Sequence, residues 1–462
     1  MTAKVYIAHC IDTEGPLYES LDARFERLSE LFAIDDLPRT AETLRKLRDK
    51  EIALGGIEEA VALTLSSHRN AYLESWHQVD AMLERVTAPA FRDRLPDSAG
   101  NGWVFTWFCL DHVGYDYNPR RRDIGFHNVF DHYARRLAAA PGCPDELQWH
   151  FHPMSTYGDA HRCATHYFRT DHVFQVLCRK VIERAWFPST FRAGFQAERP
   201  DSHWFLEQWI PFDISSMALD DNRALDDTID FRNGRSGDWR LAPADWGIYH
   251  PSHDDYQRPG GCRRWIGRAL NVMNRIGNLD QGEMDMAFAR ADAGRPALVG
   301  VASHDFRDLG PEIDHVRAMI AESRRRFPTV AFEYVRASDG FRRMIGAPAD
   351  GAEPLALDLA FHPADRSDVA RIEVRTAAGE VFGPQPFLAL ETRSRRFIHD
   401  NFDFSPCRRR WHYAFHADTL PIEDVLRVGV AANDRFGRTC IRRLEFQSDR
   451  ARPVAVLDAA AA

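Results

Sequence analysis

Two histidines, His150 and His152, stand two residues apart in the short apolar run 146–153, which ends in a proline. This pattern predicts a β-strand, in which side chains two positions apart point to the same face with their Cα atoms about 6.6 Å apart. Two imidazoles that project in parallel at this distance can bind one metal ion. The same spacing also fits two histidines on a solvated strand face, so residues elsewhere in the chain must distinguish the two interpretations.

Polar residues also lie at the ends of other apolar runs that we expect to form strands: Asp12 and Glu14 after residues 4–11, Asp111 and His112 after residues 103–110, Arg192 within residues 190–195, and His304 after residues 296–303. One or two carboxylates with two histidines suit a catalytic divalent ion that keeps positions open for water and substrate. A nearby arginine can hold a carboxylate ionised, and a separate histidine can protonate a leaving amine. Asp111 and His112 could equally anchor the loop that follows them.

The elements that must position these residues alternate between strand and helix. Four segments between the apolar runs have helical patterns, namely residues 38–50, 125–139, 173–181 and 311–320. Residues 57–95 also look largely helical, and we expect them to form an insertion beside the mouth of the site. Residues 263–273 also have helical spacing of apolar positions. This alternation indicates a parallel α/β fold, and a barrel in particular, with the polar strand ends gathered at the carboxyl end.

The composition of the chain changes after residue 346. Residues 346–354 are rich in Gly, Pro and Ala, which is typical of a linker. Residues 355–450 then show short alternating segments separated by turn signals, a pattern that predicts a small all-β, sandwich-like domain. We therefore expect two domains, a barrel over residues 1–346 and a β domain over residues 355–450.

Five motifs, taken in chain order, resemble those of the polysaccharide deacetylase family (NodB-like, carbohydrate esterase family 4). They are Asp12-Thr-Glu14-Gly-Pro, Phe105-Thr-Trp-Phe-Cys, Trp149-His150-Phe-His152-Pro, Phe191-Arg192-Ala-Gly194-Phe195 and Ala-Ser-His304-Asp305. The resemblance covers residues 4–345 as an order of motifs rather than as close identity. It implies a distorted (β/α)7 barrel that hydrolyses an N- or O-acetyl group with a water activated by a metal ion.

The resemblance also implies a role for each matched residue. His150 and His152 would be metal ligands, and Asp12 would be the carboxylate ligand or the base. Glu14 is a further candidate ligand, and the division of these roles between Asp12 and Glu14 is open. Zinc is the ion that we expect.

Two further residues would serve the reaction itself. Arg192 would tune the base, and His304 would be the general acid, since the reference pKa of histidine is about 6.5. With Asp12 they form the expected catalytic set.

Two features depart from the family pattern. The family spaces its ligand histidines three or four residues apart, whereas here one residue separates them, and its paired aspartates are replaced by Asp-x-Glu. The second histidine ligand could therefore be His161 or His166 from the following loop, or the chain could belong to a divergent branch with altered chemistry.

Charge and composition exclude some classes of protein. A net charge of -9 argues against a nucleic-acid binder, and the Arg triplet 120–122 is expected to be a solvated face. No run approaches the length of a membrane span, the N-terminus lacks the apolar core of a signal peptide, and the eight cysteines form no close CxxC pair. We therefore expect a cytoplasmic protein without a membrane span.

The leading hypothesis is a metal-dependent hydrolase that removes an acetyl group from a carbohydrate, either a sugar or a glycan precursor, in bacterial surface-polysaccharide metabolism. A hydrolase of another non-peptide C–N bond on the same barrel is the first alternative. A non-catalytic barrel that binds glycan through its β domain is the second, and it would be favoured if Asp12, His150 and His152 failed to converge.

Overall fold

In the part of the chain that the structure describes, eight parallel strands lie before residue 345. They are β1 (Lys4–Thr13), β2 (Phe105–Leu110), β3 (Glu146–Phe151), β4 (Thr190–Ala193), β5 (Phe212–Ser216), β6 (Trp265–Asn271), β7 (Ala297–His304) and β8 (Ala331–Tyr334). Their order in the sheet is β2-β3-β4-β5-β6-β7-β1-β8, and β1 also pairs with β2. Strands β1 to β7 therefore close into a parallel barrel, which confirms the predicted architecture, while its assignment to the NodB-like type stays a prediction.

The structure is a computed structural model. The residues that it describes are 3–65, 71–115, 118, 120–152, 166–219, 237–274, 277–347, 353–446 and 453–458. His161, one of the two alternative ligands, lies outside them.

Strand β1 holds the barrel together because it has three neighbours. Along one edge it pairs with β7 from Val5 to Asp12. Along the other edge its first half pairs with β8 and its second half pairs with β2, from His9 to Thr13. A strand edge can bond only one neighbour at each residue, so the barrel closes at the carboxyl end of β1 and β8 fills the gap at the opposite end.

Eleven α-helices are described around the strands. They are α1 (Leu21–Phe32), α2 (Ala41–Arg48), α3 (Glu58–Thr64), α4 (Trp76–Thr87), α5 (Pro89–Arg92), α6 (Asn128–Ala138), α7 (His172–Arg184), α8 (Pro200–Trp209), α9 (Gln281–Asp292), α10 (Leu309–Arg326) and α11 (Ala337–Met344). Short 3-10 turns cover Tyr167–Arg169, Gly194–Gln196 and Ile422–Asp424. Helices α3 to α5 confirm that the region 57–95 is largely helical in its described part. None of the helices described is long and apolar enough to cross a membrane.

The expected helix over residues 263–273 is wrong, because this segment contains strand β6. Ile266, Ala269 and Leu270 stand at spacings that a helix would place on one face, but all three are buried on a barrel strand. A parallel strand covered on both faces lacks the alternation that identifies a strand in a sequence. Its charged residue, Arg268, is also buried and pairs with Glu283 of α9.

The region after residue 353 folds into two antiparallel sheets. Its strands are β9 (Ala356–His362), β10 (Arg371–Ala378), β11 (Phe387–Thr392), β12 (Phe397–Asp400), β13 (Asp403–Phe404), β14 (Arg410–Ala414), β15 (Val425–Asn433), β16 (Thr439–Phe446) and β17 (Pro453–Asp458). One sheet has the order β13-β14-β10-β9, the other β12-β11-β15-β16-β17, and a buried apolar core lies between them. The predicted C-terminal β domain is therefore present, and β17 extends it beyond residue 450.

The β domain packs on the barrel through α7. Val181 and Ile182 of this helix share a buried cluster with Ala431 of β15. Gly429 of the same strand has no side chain, and a Cβ there would lie 2.7 Å from Val181 Cγ1 and 3.1 Å from Ile182 Cγ1. Nearby, the Asn433 amide donates hydrogen bonds to two backbone carbonyls of the barrel region. The contact is thus tight, and whether residues 355–450 fold separately stays a prediction.

The close approach at Gly429 predicts a specific loss of stability. We expect Gly429→Val to lower the free energy of unfolding by about 1–3 kcal/mol, because the added carbons overlap helix α7. Gly261→Val is the matched control, since a Cβ at Gly261 meets no atom within 4 Å. Urea unfolding of both variants measures the difference, and an equal loss in the two would contradict a tight interface at Gly429.

Candidate active site

The carboxyl ends of four barrel strands bring the polar residues together. In the strand register, Asp12 of β1 lies beside His304 of β7, and His150 of β3 lies beside Arg192 of β4. Glu14 follows β1 directly. Parallel strands of a barrel point their carboxyl ends to one mouth, so residues far apart in sequence meet there. The structure therefore assembles the set that the strand ends indicated.

Three of these side chains offer a metal ligand atom to one point. One nitrogen or oxygen each from Glu14, His150 and His152 lies within 4.8 Å of the others. His152 Nε2 is 3.0 Å from His150 Nε2. Glu14 Oε1 is 3.6 Å from His152 Nε2 and 3.9 Å from His150 Nε2. Two imidazoles and one carboxylate are the donors that catalytic zinc sites use.

The hydrogen bonding of His150 fits such a role. His150 Nδ1 lies 2.9 Å from the carbonyl oxygen of Arg192, and because a carbonyl can only accept, Nδ1 carries a proton. A neutral ring then has its lone pair on Nε2, which faces Glu14 and His152. Metal-bound histidines commonly donate their other ring nitrogen in this way, which fixes the tautomer and the ring orientation.

The charges around His150 favour a cation at this point. Burial lowers the pKa of His150, but Asp12 and then Glu14 raise it to a net value above the ordinary one. Burial raises the pKa of Glu14, yet Arg122 and the two histidines hold it well below its usual range. The carboxylates are therefore ionised at neutral pH and attract a positive charge, which a divalent ion can supply.

Arg122 is a partner of Glu14 that the sequence did not reveal. Its guanidinium forms a buried ion pair with Glu14, and its side chain is only 9% exposed. The expectation that the triplet 120–122 is a solvated face is therefore wrong for this residue. The arginine comes from the loop after β2, so its place depends on tertiary packing rather than on local sequence.

Gly194 makes room for the ring of His152. A Cβ at Gly194 would lie 2.2 Å from His152 Cδ2 and 2.6 Å from His152 Cγ. These distances are too short for any side chain at this position. The next residue, Phe195, has φ = 56° and packs its ring 4.8 Å from that of His152. A left-handed conformation at a non-glycine residue is costly and is typical of functional sites. The glycine of the Phe-Arg-Ala-Gly-Phe motif thus has a steric reason.

Asp12 lies beside the three-residue group rather than inside it. Arg192 Nε donates a hydrogen bond of 2.6 Å to Asp12 Oδ1, and both side chains are buried. Burial raises the pKa of Asp12, but Arg192 above all, then His150 and His304, hold it below its usual range. Asp12 is therefore an ionised carboxylate held by an arginine, and its role as a metal ligand stays a prediction.

His304 stands at the rim of the same mouth. Its Nε2 lies 3.8 Å from Asp12 Oδ2 and 4.0 Å from Glu14 Oε1, and its side chain is 17% exposed. Burial lowers the pKa of His304 to about 4. Arg307 also lowers this pKa, whereas Asp12 and Glu14 raise it. The ring is thus neutral at pH 7, and its pKa lies below the value near 6.5 that is usual for histidine.

Asp305 holds the loop that carries Glu14. Its carboxylate accepts hydrogen bonds from the backbone N–H groups of Glu14 (2.9 Å) and Gly15 (3.0 Å) and from the Tyr133 hydroxyl (2.9 Å). Burial raises the pKa of Asp305 to about 6. This positioning role was not foreseen from the sequence, although strand alternation does turn Asp305 away from His304.

Two further candidates, Asp111 and His166, do not belong to the three-residue group. Asp111 anchors its loop, because Asp111 Oδ1 accepts the N–H of His127 and the carboxylate forms a buried ion pair with Lys180 of α7. His166 is exposed, lies 3.6 Å from Asp201 and is not part of the three-residue group. Of the two alternative ligands, the described one is therefore not brought to the site.

Comparisons with known proteins leave the site to be judged on its geometry. No protein-family model and no curated protein matches the chain. Among solved structures, the chain is similar to the crystal structure of Puue allantoinase, with a TM-score of 0.35 and 10% sequence identity over 76% of this chain and 93% of that chain.

The converging nitrogens predict that His150 and His152 are needed for metal binding. We expect His150→Ala combined with His152→Ala to remove a bound divalent ion while the circular dichroism spectrum stays unchanged, because the ion loses two of its three converging ligand atoms and the strand β3 keeps its backbone pairing. The control is His166→Ala, which should keep the metal. Metal content measured by mass spectrometry decides the matter, and full occupancy in the double variant would refute the assignment.

A second expectation concerns Gly194. The change Gly194→Ala should displace the His152 ring and weaken zinc binding by about 10–100-fold, as loss of a supporting contact to a ligand typically does. Titration with a competing chelator measures the affinity. The control Gly261→Ala adds the same methyl group in open space. Unchanged affinity in Gly194→Ala would show that His152 is not a ligand.

Proposed function

We propose that this protein is a metal-dependent hydrolase that removes an acetyl group from a sugar or glycan precursor, in the metabolism of bacterial surface polysaccharides. The observation that supports this most strongly is the convergence of Glu14, His150 and His152 beside the Asp12–Arg192 pair. The acetylated sugar as substrate rests on the resemblance of the motif order to that of the polysaccharide deacetylase family.

Glu14, His150 and His152 would hold the ion, and zinc suits their donor set. When bound, such an ion acts as a Lewis acid that polarises a carbonyl and lowers the pKa of water to about 7. Arg122 keeps Glu14 ionised, and the Arg192 carbonyl keeps His150 in the tautomer in which Nε2 is unprotonated and can act as a ligand.

Asp12 is placed to accept a proton from the attacking water. Its Oδ1 is engaged by Arg192 Nε, so its Oδ2 is the oxygen that faces the mouth and His304. Arg192 is itself fixed, because its NH1 donates a hydrogen bond of 3.0 Å to the carbonyl of Ile214. The arginine therefore orients the carboxylate and keeps it ionised, which is what a base needs before the reaction starts.

His304 is placed to deliver that proton to the leaving amine. Because its ring is neutral at pH 7, it must gain a proton during the reaction before it can act as an acid. Asp12 Oδ2 lies 3.8 Å from His304 Nε2, which is beyond direct hydrogen-bond distance, so a proton accepted by Asp12 would need a bridging water to reach the imidazole and then the leaving nitrogen. An amine leaves poorly as an anion, so this step is required for amide hydrolysis.

A hydrolase of another non-peptide C–N bond is the second candidate. The observation that favours it is that Glu14, and not Asp12, groups with the histidines. This departs from the adjacent aspartates of the deacetylase pattern and is compatible with a shifted substrate position. The non-catalytic glycan-binding barrel is disfavoured, because the histidines and carboxylates do converge.

Product analysis separates the two enzymatic candidates. We expect zinc-loaded protein to release acetate from N-acetylated sugars, and the release to stop after chelation. Release of ammonia or of another amine from small amides, without acetate from sugars, would favour the second candidate. Absence of both products in metal-loaded protein would contradict a hydrolytic function.

His304 provides a test of the proton path that is separate from metal binding. We expect His304→Ala to keep the metal while kcat falls by about 10²–10⁴, because the leaving amine loses its proton donor. His315→Ala, an exposed histidine on α10, is the control and should leave kcat unchanged. Near-normal kcat in His304→Ala would assign this residue a structural role, and loss of metal would make it a ligand.

A further inference from the structure

A buried histidine beside the site has no role in the mechanism above. His112 comes two residues after the end of β2 and is only 1% exposed. In the strand register Leu110 lies beside His150, and Asp111 turns outward to Lys180 of α7. Because side chains alternate along extended backbone, His112 is directed inward, above Leu110. Its place is therefore the inner wall of the mouth.

Both ring nitrogens of His112 lack a hydrogen-bond partner among the described residues. The contrast with His9 is direct, since His9 Nδ1 accepts a hydrogen bond of 3.0 Å from Trp103 Nε1 and its Nε2 lies 3.0 Å from Ser303 Oγ. A buried polar group without a partner destabilises a fold, so its presence calls for a use.

The charges that act on His112 belong to the site itself. Burial lowers the pKa of His112 well below its ordinary value, Arg122 lowers it further, and Glu14 opposes them. His150 and His152 also act on it. A neutral imidazole in this place offers one N–H donor and one lone pair, which suits an uncharged polar group such as an amide. His112 is not part of the three-residue ligand group.

We propose that His112 is a substrate-binding residue whose ring hydrogen-bonds the acyl group of the substrate. The inference rests on the proposed function for the identity of that group, and on the geometry of His112 for the existence of the contact. It explains why a polar side chain is buried at the mouth without a partner. A residue kept for ligand binding lowers the stability of the free protein, whereas a residue kept for structure raises it.

The experiment compares two buried histidines in the metal-loaded protein. His112→Leu replaces a polar ring that has no partner with an apolar side chain, so we expect a melting temperature equal to that of the parent or about 1–3 °C higher. His9→Leu is the matched control and should melt lower, because Trp103 and Ser303 lose their partner. Metal content should be unchanged in His112→Leu.

Acetate, the product of the proposed reaction, is the binding probe. Calorimetric titration of metal-loaded protein should give an affinity for acetate that falls by about 10-fold in His112→Leu, in line with the loss of one hydrogen bond. Acetate affinity equal to that of the parent would overturn the contact with the acyl group.

Two other results would also overturn the role of His112. A melting temperature lowered as much as in His9→Leu would show that His112 supports the loop after β2. Loss of metal from His112→Leu would make it a ligand instead. By contrast, parent protein that binds no acetate and releases none from sugars would count against the proposed deacetylation, so failure of the function and failure of this inference are distinguishable.

Discussion

The carboxylates at the end of β1 are the constraint on which the rest of the site depends. Asp12 and Glu14 are 2% and 4% exposed, and an ionised carboxylate that deep in a protein is strongly unfavourable unless cations accompany it. Arg192 reaches Asp12 from β4, and Arg122 reaches Glu14 from the loop after β2. The face of Glu14 that looks towards His150 and His152 is where a metal ion would complete the neutralisation.

The barrel supplies the rigidity that this arrangement needs. The pairing of β1 with both β2 and β7 places the end of β1 beside the ends of its neighbours, and Asp305 ties the Glu14 loop to the end of β7. Removing one cation from such a cluster leaves a buried charge without a partner. Arg122, which was expected on a solvated face, is therefore part of the charged cluster, because it neutralises Glu14 in the interior.

Much of this could be predicted from the sequence, because strand ends are local. The period-two spacing placed His150 and His152 on one face, and the polar residues that follow buried strands marked the mouth. Whether Asp12 or Glu14 joins the histidines could not be predicted, because the choice depends on the loop that Asp305 holds from a distant strand. The strand β6 was missed for a similar reason, since its burial on both faces and the partner of Arg268 are set by tertiary packing.

Anomalous diffraction from zinc-soaked crystals tests the central claim most directly. The account predicts one strong peak at the zinc edge, about 2.0–2.2 Å from Glu14 Oε1, His150 Nε2 and His152 Nε2. A peak bound by Asp12 and His304 without the paired histidines would contradict it. The account would also be contradicted if a zinc-soaked crystal showed no anomalous peak and His150 Nε2 and His152 Nε2 were joined by a direct hydrogen bond.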